Sequence, residues 1–229
     1  MKIIERQDWD SKLFGYEVGK VDFDCGYDHD QFIKEAKQFR LVYIFSKNHI
    51  EQKQFELVDE KVLFSQSLNK NIIDWPKINL KSFKPDVDSS FELKELALQS
   101  GIFSRFYTDR NFINEEYNKL YSIWIERSIL REIAFDIVIA KESDILGFVT
   151  LNRVSRELAS IGLLAVSIEA RGQGIGKALV NEAMLRAKSR GFSEIQVATQ
   201  KSNTPAMTLY GSLNFELKES INIYHYWNI

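Results

Sequence analysis

The stretch VSIEARGQGIGKALVNEAM, Val166 to Met184, constrains the chain more than any other. An apolar run ends, three glycines fall within five residues, and a helix-like pattern begins. Gly172, Gly174 and Gly176 are flanked by Arg171 and Lys177. Glycine lets the backbone turn tightly and approach a ligand with no Cβ in the way. Successive backbone N–H groups at a helix N-terminus attract an anion. The loop therefore reads either as a bare strand-to-helix turn or as a phosphate cradle. It is not a Walker loop, because Arg171 takes the first glycine position and Ala178 replaces the hydroxyl. It is not a dinucleotide fingerprint, because Lys177 takes the third glycine position. The spacing that remains is Arg-x-x-Gly-x-Gly.

The surrounding elements predict an α/β (α+β) fold with a mixed sheet. YEVGKVDF, RLVYIFS and LVDEKVLFSQSL read as strands and DHDQFIKEAKQF as a helix with an acidic start. Pro76, Pro85 and a polar cluster follow, so we place a domain boundary there. Residues 1–85 form a small N-terminal α/β unit and residues 86–229 a second, larger one. In the second unit FELKELALQSG is a helix closed by Gly101, and IFSRFYTDRNF is an aromatic, arginine-rich loop. NEEYNKLYSIWIERSIL is a helix with Tyr117, Leu120, Tyr121, Trp124, Ile125 and Ser128 on one face. FDIVIAKESDILGFVTLNRV is a hairpin and LASIGLLAVSI a third strand. After the glycines come a helix from Gly174 to Arg190, the strand SEIQVATQ and the helix TPAMTLYGSL with Pro205 in its first turn. FELKES and INIYHYW read as two closing strands. The last suits a dimer edge, and equally a packed inner strand.

Composition excludes several classes. A net charge of −2 gives no general attraction to nucleic acid. The single cysteine, Cys25, excludes a disulfide within the chain and speaks against a zinc cluster, so we expect no metal and a reducing, cytoplasmic setting. MKIIERQDWD is charged and has no apolar h-region, so no secretory signal is expected. No apolar run approaches the roughly 20 residues that span a bilayer, and no membrane insertion is expected.

Two signatures together resemble the GNAT N-acyltransferases. LLAVSIEARGQGIGKALV looks like their acyl-CoA loop, with Arg171, Gly174 and Gly176 at its fixed positions. VATQKSNTPAMTLYGSLNF looks like their second signature, with Asn203, Ala206 and Tyr210 in an Asn-x-x-Ala-x-x-x-Tyr array, followed by Phe215. Asn214 departs from the usual glycine, and asparagine tolerates the left-handed backbone expected there. The resemblance implies the GNAT fold over residues 91–228. It also implies that acetyl-CoA is the acyl donor, its pyrophosphate lying on the amides of Arg171, Gly172, Gln173, Gly174, Ile175 and Gly176. The pantetheine would lie along Leu164, Ala165 and Val166. A backbone N–H near Leu164 would hold the oxyanion, Asn203 would bond the pantetheine or a water near it, and Tyr210 would protonate the leaving thiolate. Free thiols and tyrosines titrate near about 8.5 and about 10, so tyrosine suits that task. SIGLLAV has no carboxylate to act as base. Asp109, Glu115 and the lone His225 are the side chains to weigh, beside a water chain or a substrate phosphate.

DWDSKLFGYEV, SRFYTDRNFINEEYNKLYSIWIERSI, IGLLAV and the closing YW resemble the dTDP-fucosamine N-acetyltransferases within that family. This implies a nucleotide-linked amino sugar as acceptor, with Arg105, Tyr107, Tyr121 and Trp124 as its contacts through charge-assisted bonds and stacking. Tyr121 and Trp124 also stand at core spacing. Two other readings stay open: the same chemistry on another amine, such as a protein N-terminus or a polyamine, and a non-catalytic acyl-CoA-binding module.

Overall fold

A computed structural model describes residues 3–24, 28–69 and 78–228; Cys25 and Pro76 lie outside them. In chain order the elements are β1 (Glu5–Arg6), α1 (Asp8–Phe14), β2 (Val18–Asp22), α2 (His29–Ala36), β3 (Leu41–Ser46), β4 (Glu56–Ser67) and β5 (Leu80–Ser82). Then follow α3 (Ser90–Ser100), α4 (Arg105–Thr108), α5 (Glu116–Ile129), β6 (Ala134–Lys141), β7 (Ile145–Arg153) and β8 (Leu158–Val166). The chain closes with α6 (Ile175–Ser189), β9 (Glu194–Gln200), α7 (Thr204–Ser212) and β10 (Glu216–Trp227).

The ten strands form one mixed sheet in the order β1-β2-β3-β10-β4-β9-β8-β7-β6-β5. Strands from both sides of residue 85 interleave in it, since β10 lies between β3 and β4, and β4 pairs with β9. Two strand–helix–strand crossovers, β2–α2–β3 and β8–α6–β9, make the parallel pairs, and the other pairs are antiparallel. Period-two alternation assigns side chains to the two faces. In β6, Val138 and Ala140 join Leu179, Val180 and Ala183 of α6, whereas Ile137 and Ile139 join Leu93 of α3 and Ile125 of α5. In β3, Leu41 and Tyr43 face α5 while Val42 and Ile44 pack with Phe32 of α2.

Three expectations are corrected. FELKES and INIYHYW form one twelve-residue strand, β10, bent by register shifts at Leu217/Glu219 and Ile223/Tyr224. Residues 222–225 of β10 are hydrogen-bonded on both sides, so for INIYHYW the dimer-edge reading falls and the packed inner strand given beside it holds. The arginine-rich stretch is not a plain loop, since residues 105–108 turn into α4. Asn214 adopts φ 62°, the left-handed backbone expected of it.

Candidate active site

β8 and β9 pair in parallel only from Leu158↔Glu194 to Ile161↔Val197, although β8 runs on to Val166 and β9 to Gln200. A β-bulge marks the parting: Gly162 and Leu163 of β8 stand opposite Thr150 alone in β7. Bulges recur beside active sites because they re-aim the groups around them. The bulge is held by the Leu163 N–H, which donates to Thr150 Oγ1 at 2.8 Å. Glycine at position 162 leaves room for this bond, because a Cβ there would meet Thr150 Oγ1 and Asn152 Nδ2 at 2.7 Å and force them to shift.

Two cavities flank the parted strands. One, of about 540 Å³, runs along Leu164, Ala165 and Val166 to the glycine loop and the start of α6. The other, of about 500 Å³, is enclosed by β4, β8, β9, α4, α5 and α7. Ser100, Leu164, Asn203 and Ala206 line both, so the cavities meet at Leu164.

The first cavity has the chemistry of a donor site. Gly172 and Gly174 take φ of 79° and 83°, which β-carbon-bearing residues rarely adopt. Gly174 is the N-cap of α6 and makes no side-chain cap bond, and it lines this cavity with Ile175 and Gly176, the kind of helix start that attracts an anion. Arg171 Nε donates to the Val166 carbonyl at 3.2 Å and Gln173 Nε2 to the Glu169 carbonyl at 3.4 Å, tying the loop to the end of β8. Gly176 is different. A Cβ there would meet only Leu209 and Val166 side-chain atoms, the nearest at 3.5 Å. The protein itself does not demand glycine at that spot, which fits a place kept clear for a ligand.

The second cavity holds the titratable groups. Tyr210 is 3% exposed, packed on Phe64 and Phe215. Burial pushes its phenol well above the ordinary tyrosine value, so it is a protonated donor at neutral pH. Asn203 caps α7, its Oδ1 accepting from the Ala206 N–H at 3.2 Å. Arg105 lies over the rings of Tyr43 and Phe106 at 5.0 and 4.4 Å. Its Nε is buried without a hydrogen-bond partner among the described residues.

The fold brings Tyr210, Leu164, Arg105, Tyr121 and Trp124 to one cavity. Tyr121 is at once core and wall: it is buried between α3 and α5, stacked edge-on to Trp124, and a Cβ on Gly101 would strike its ring. Tyr107 is not brought there. It is 58% exposed and packs on Tyr117 on the outer side of α4. Asp109, Glu115 and His225 also stand outside both cavities. Glu115 is exposed. Asp109 Oδ2 accepts from His225 Nδ1 at 2.5 Å and from Trp227 Nε1 at 2.8 Å, and its Oδ1 accepts from the Asn111 N–H and Nδ2, each at 2.9 Å. Burial pushes His225 down to about 4 despite Asp109, and those donors hold Asp109 below the usual carboxylate range despite its burial. At neutral pH the pair is therefore a carboxylate and a neutral imidazole, a structural knot and not a base.

The wall supplied by the N-terminal part was missed from the sequence: Trp9, Asp10, Asp59 and Lys61 line the acceptor-side cavity. Its one local sign was an ionisable run, VDEK, inside a strand whose remainder alternates apolar and polar. Among the described residues no group of three or more His, Cys, Asp or Glu could hold a metal ion, and no helix is long and apolar enough to cross a membrane.

Residues 100–215 match the model of the Acetyltransferase (GNAT) family. A dTDP-fucosamine acetyltransferase of Escherichia coli is 32% identical over 120 residues, covering 52% of this chain and 50% of that protein. The spore coat polysaccharide biosynthesis protein SpsD of Bacillus subtilis is 24% identical over 144 residues, 62% of this chain and 49% of that one. The chain thus spans about half the length of these curated relatives. Among solved structures, a functionally unknown conserved protein from Staphylococcus epidermidis superposes with a TM-score of 0.72 over 100% of this chain and 92% of its own, at 11% identity. A GCN5-related N-acetyltransferase from Sphaerobacter thermophilus gives a TM-score of 0.58 over 91% and 72%, at 17% identity. At such identities the shared property is the fold.

Proposed function

The chain belongs to the GNAT acetyltransferase family, and from that premise we propose that it transfers acetyl from acetyl-CoA to the amine of a nucleotide-linked amino sugar. The observation behind this reading is the meeting of two cavities at Leu164 and Asn203, one ending on uncapped helix amides and the other holding Arg105, aromatic rings and a protonated Tyr210. The names of the two curated relatives, both concerned with sugars, favour a sugar acceptor over a peptide or polyamine. In this reading residues 86–229 hold the donor, and residues 1–85 form a domain that walls the acceptor.

The chain's groups divide the work. Residues 171–176 and the positive end of α6 hold the donor's pyrophosphate. The edge of β8 left open past Ile161 aligns the pantetheine, and the peptide group at Leu164 polarises the thioester carbonyl. Acetyl-CoA supplies an activated acyl group that an uncharged amine can attack directly. Tyr210 gives its proton to the departing sulfur; its raised affinity for the proton keeps it loaded until a strong base, the thiolate, forms beside it. Arg105 takes a phosphate of the acceptor, its unpartnered Nε supplying one donor. Trp9 and Trp124 offer faces for a base.

Gly176→Ala tests the donor half. The added methyl fits the protein, and alanine in a helix is favoured over glycine by up to about 1 kcal/mol, so the melting temperature holds or rises. The methyl stands in the donor cavity, and overpacking of about 1–3 kcal/mol weakens acetyl-CoA binding roughly 10- to 100-fold. Titration calorimetry with acetyl-CoA measures it. Unchanged affinity would remove the loop from the donor site.

A further inference from the structure

β4 contains a second bulge. Consecutive residues Ile223 and Tyr224 of β10 pair with Asp59 and Leu57, leaving Val58 as the extra residue in β4. The bulge exchanges faces locally: Leu57 is 43% exposed, while Asp59 is 7% exposed and lines the acceptor-side cavity. The other fully buried carboxylates are satisfied, and Asp10 of α1, the second carboxylate in this cavity wall, is only partly buried with the Arg105 charge acting on it. Asp88 is paired with Lys81 and Lys141, Asp136 with Arg186 and Arg190, and Asp109 is bonded to His225 and Trp227. Asp59 has no ion pair within 4.0 Å among the described residues, and its Oδ1 is buried with no hydrogen-bond partner. A buried unsatisfied carboxylate oxygen is costly. Its place in the cavity wall that also contains Tyr210 and Leu164 gives that cost a use.

We propose that Asp59 binds the ammonium of the acceptor and takes its proton, so that the amine meets the thioester uncharged. The proposal rests on the acceptor-cavity reading above. An R–NH3⁺ acceptor gives one proton to Asp59, which becomes the neutral acid and later releases it to solvent. The freed nitrogen lone pair forms the C–N bond as the carbonyl π pair moves onto oxygen. Collapse breaks the C–S bond, and the sulfur takes the Tyr210 proton. The second proton lost by nitrogen restores the Tyr210 hydroxyl. The products are the amide, CoA thiol and one proton.

The surroundings suit this task. Burial raises the Asp59 carboxyl to about 6, while Arg105 of α4, Lys61 of β4 and the nearby Gln200 of β9 pull it down and Glu60 pushes it up. Tyr121 of α5, which feels the Asp59 charge, and Tyr210 of α7, in the same cavity wall, stay neutral. Asp59 is thus ionised at neutral pH yet basic enough to accept a proton as the amine turns to attack. The role also explains why the site needs the N-terminal part, since β8 itself has no carboxylate.

Asp59→Asn tests it, on whichever amine of a panel of nucleotide-linked amino sugars, spermidine and a peptide the wild type acetylates fastest. At pH 7 kcat/KM falls about 100-fold, and the rise of activity with pH through about 6 expected of the wild type disappears. Acetyl-CoA affinity is unchanged. The melting temperature at pH 7 holds or rises: a carboxyl whose folded pKa lies above its unfolded value disfavours folding once pH exceeds that unfolded value, and asparagine removes this. Asp59→Glu, which keeps a carboxyl, recovers part of the rate and the acid limb. A wild-type rate and pH profile in Asp59→Asn would overturn the proposal. So would a lost rate accompanied by a lower melting temperature and weakened acetyl-CoA binding, which marks a structural residue. If spermidine or the peptide proves the fastest acceptor, the sugar reading fails while the same variants still decide the role of Asp59.

Discussion

Tyr210→Phe lowers turnover by roughly 10²- to 10⁴-fold, the range for loss of a general acid, and leaves acetyl-CoA affinity within about twofold, because the ring's packing survives the loss of one oxygen. Tyr210 is anchored by Phe64 and Phe215 on either side, so phenylalanine keeps the cavity's shape. What disappears is a neutral O–H that burial holds protonated in the wall of the acceptor-side cavity. Steady-state rates with direct binding measurements separate the two quantities. Equal turnover in variant and wild type would remove Tyr210 from the chemistry. A fall in both turnover and acetyl-CoA affinity would make it a packing residue.

Asp109→Ala destabilises the fold by about 1–3 kcal/mol for each buried donor left without its acceptor. The carboxylate accepts from His225 Nδ1, Trp227 Nε1, and the Asn111 N–H and Nδ2, and all of these lose their acceptor at once. The loss falls where the end of β10 meets the loop after α4, so the variant also loosens Arg105. Chemical denaturation measures it, and a change below about 1 kcal/mol would show that the cluster relaxes onto water. The same pair sets an acid limit for the wild type. The His225 pKa is about 4 when folded, and about 6.5 for an ordinary histidine. The unfolded chain therefore binds the extra proton between these values, and stability is lost as pH falls through that window. Asp109, with its folded pKa lowered, adds to the loss as it protonates at still lower pH.

The donor half of the site was legible because its parts are local. A glycine loop between strand and helix, and an Asn-x-x-Ala-x-x-x-Tyr array within one turn and helix, place their groups by short-range geometry alone. Gly172, Gly174, Asn203 and Tyr210 lie where that geometry puts them. The acceptor half depends on long-range pairing. Asp59 reaches the cavity only because β4 inserts between β10 and β9, and because a bulge at Val58 turns the strand over. Nothing in LVDEKVLF fixes either event. Asp109 and His225 show the opposite failure. As residue types they are good base candidates, yet they lie 116 positions apart and consume each other in a buried pair. Tyr107 has the right chemistry beside Arg105, but the one-turn helix α4 rotates it outward while Arg105 turns in.

The most direct measurement is release of free CoA thiol from acetyl-CoA in the presence of dTDP- and UDP-linked amino sugars, spermidine and a peptide with a free N-terminus. Rapid release with a nucleotide-linked amino sugar, and only background release with spermidine and peptide, is the predicted result. Rapid release with spermidine or the peptide and none with any nucleotide sugar would contradict the assignment of the acceptor.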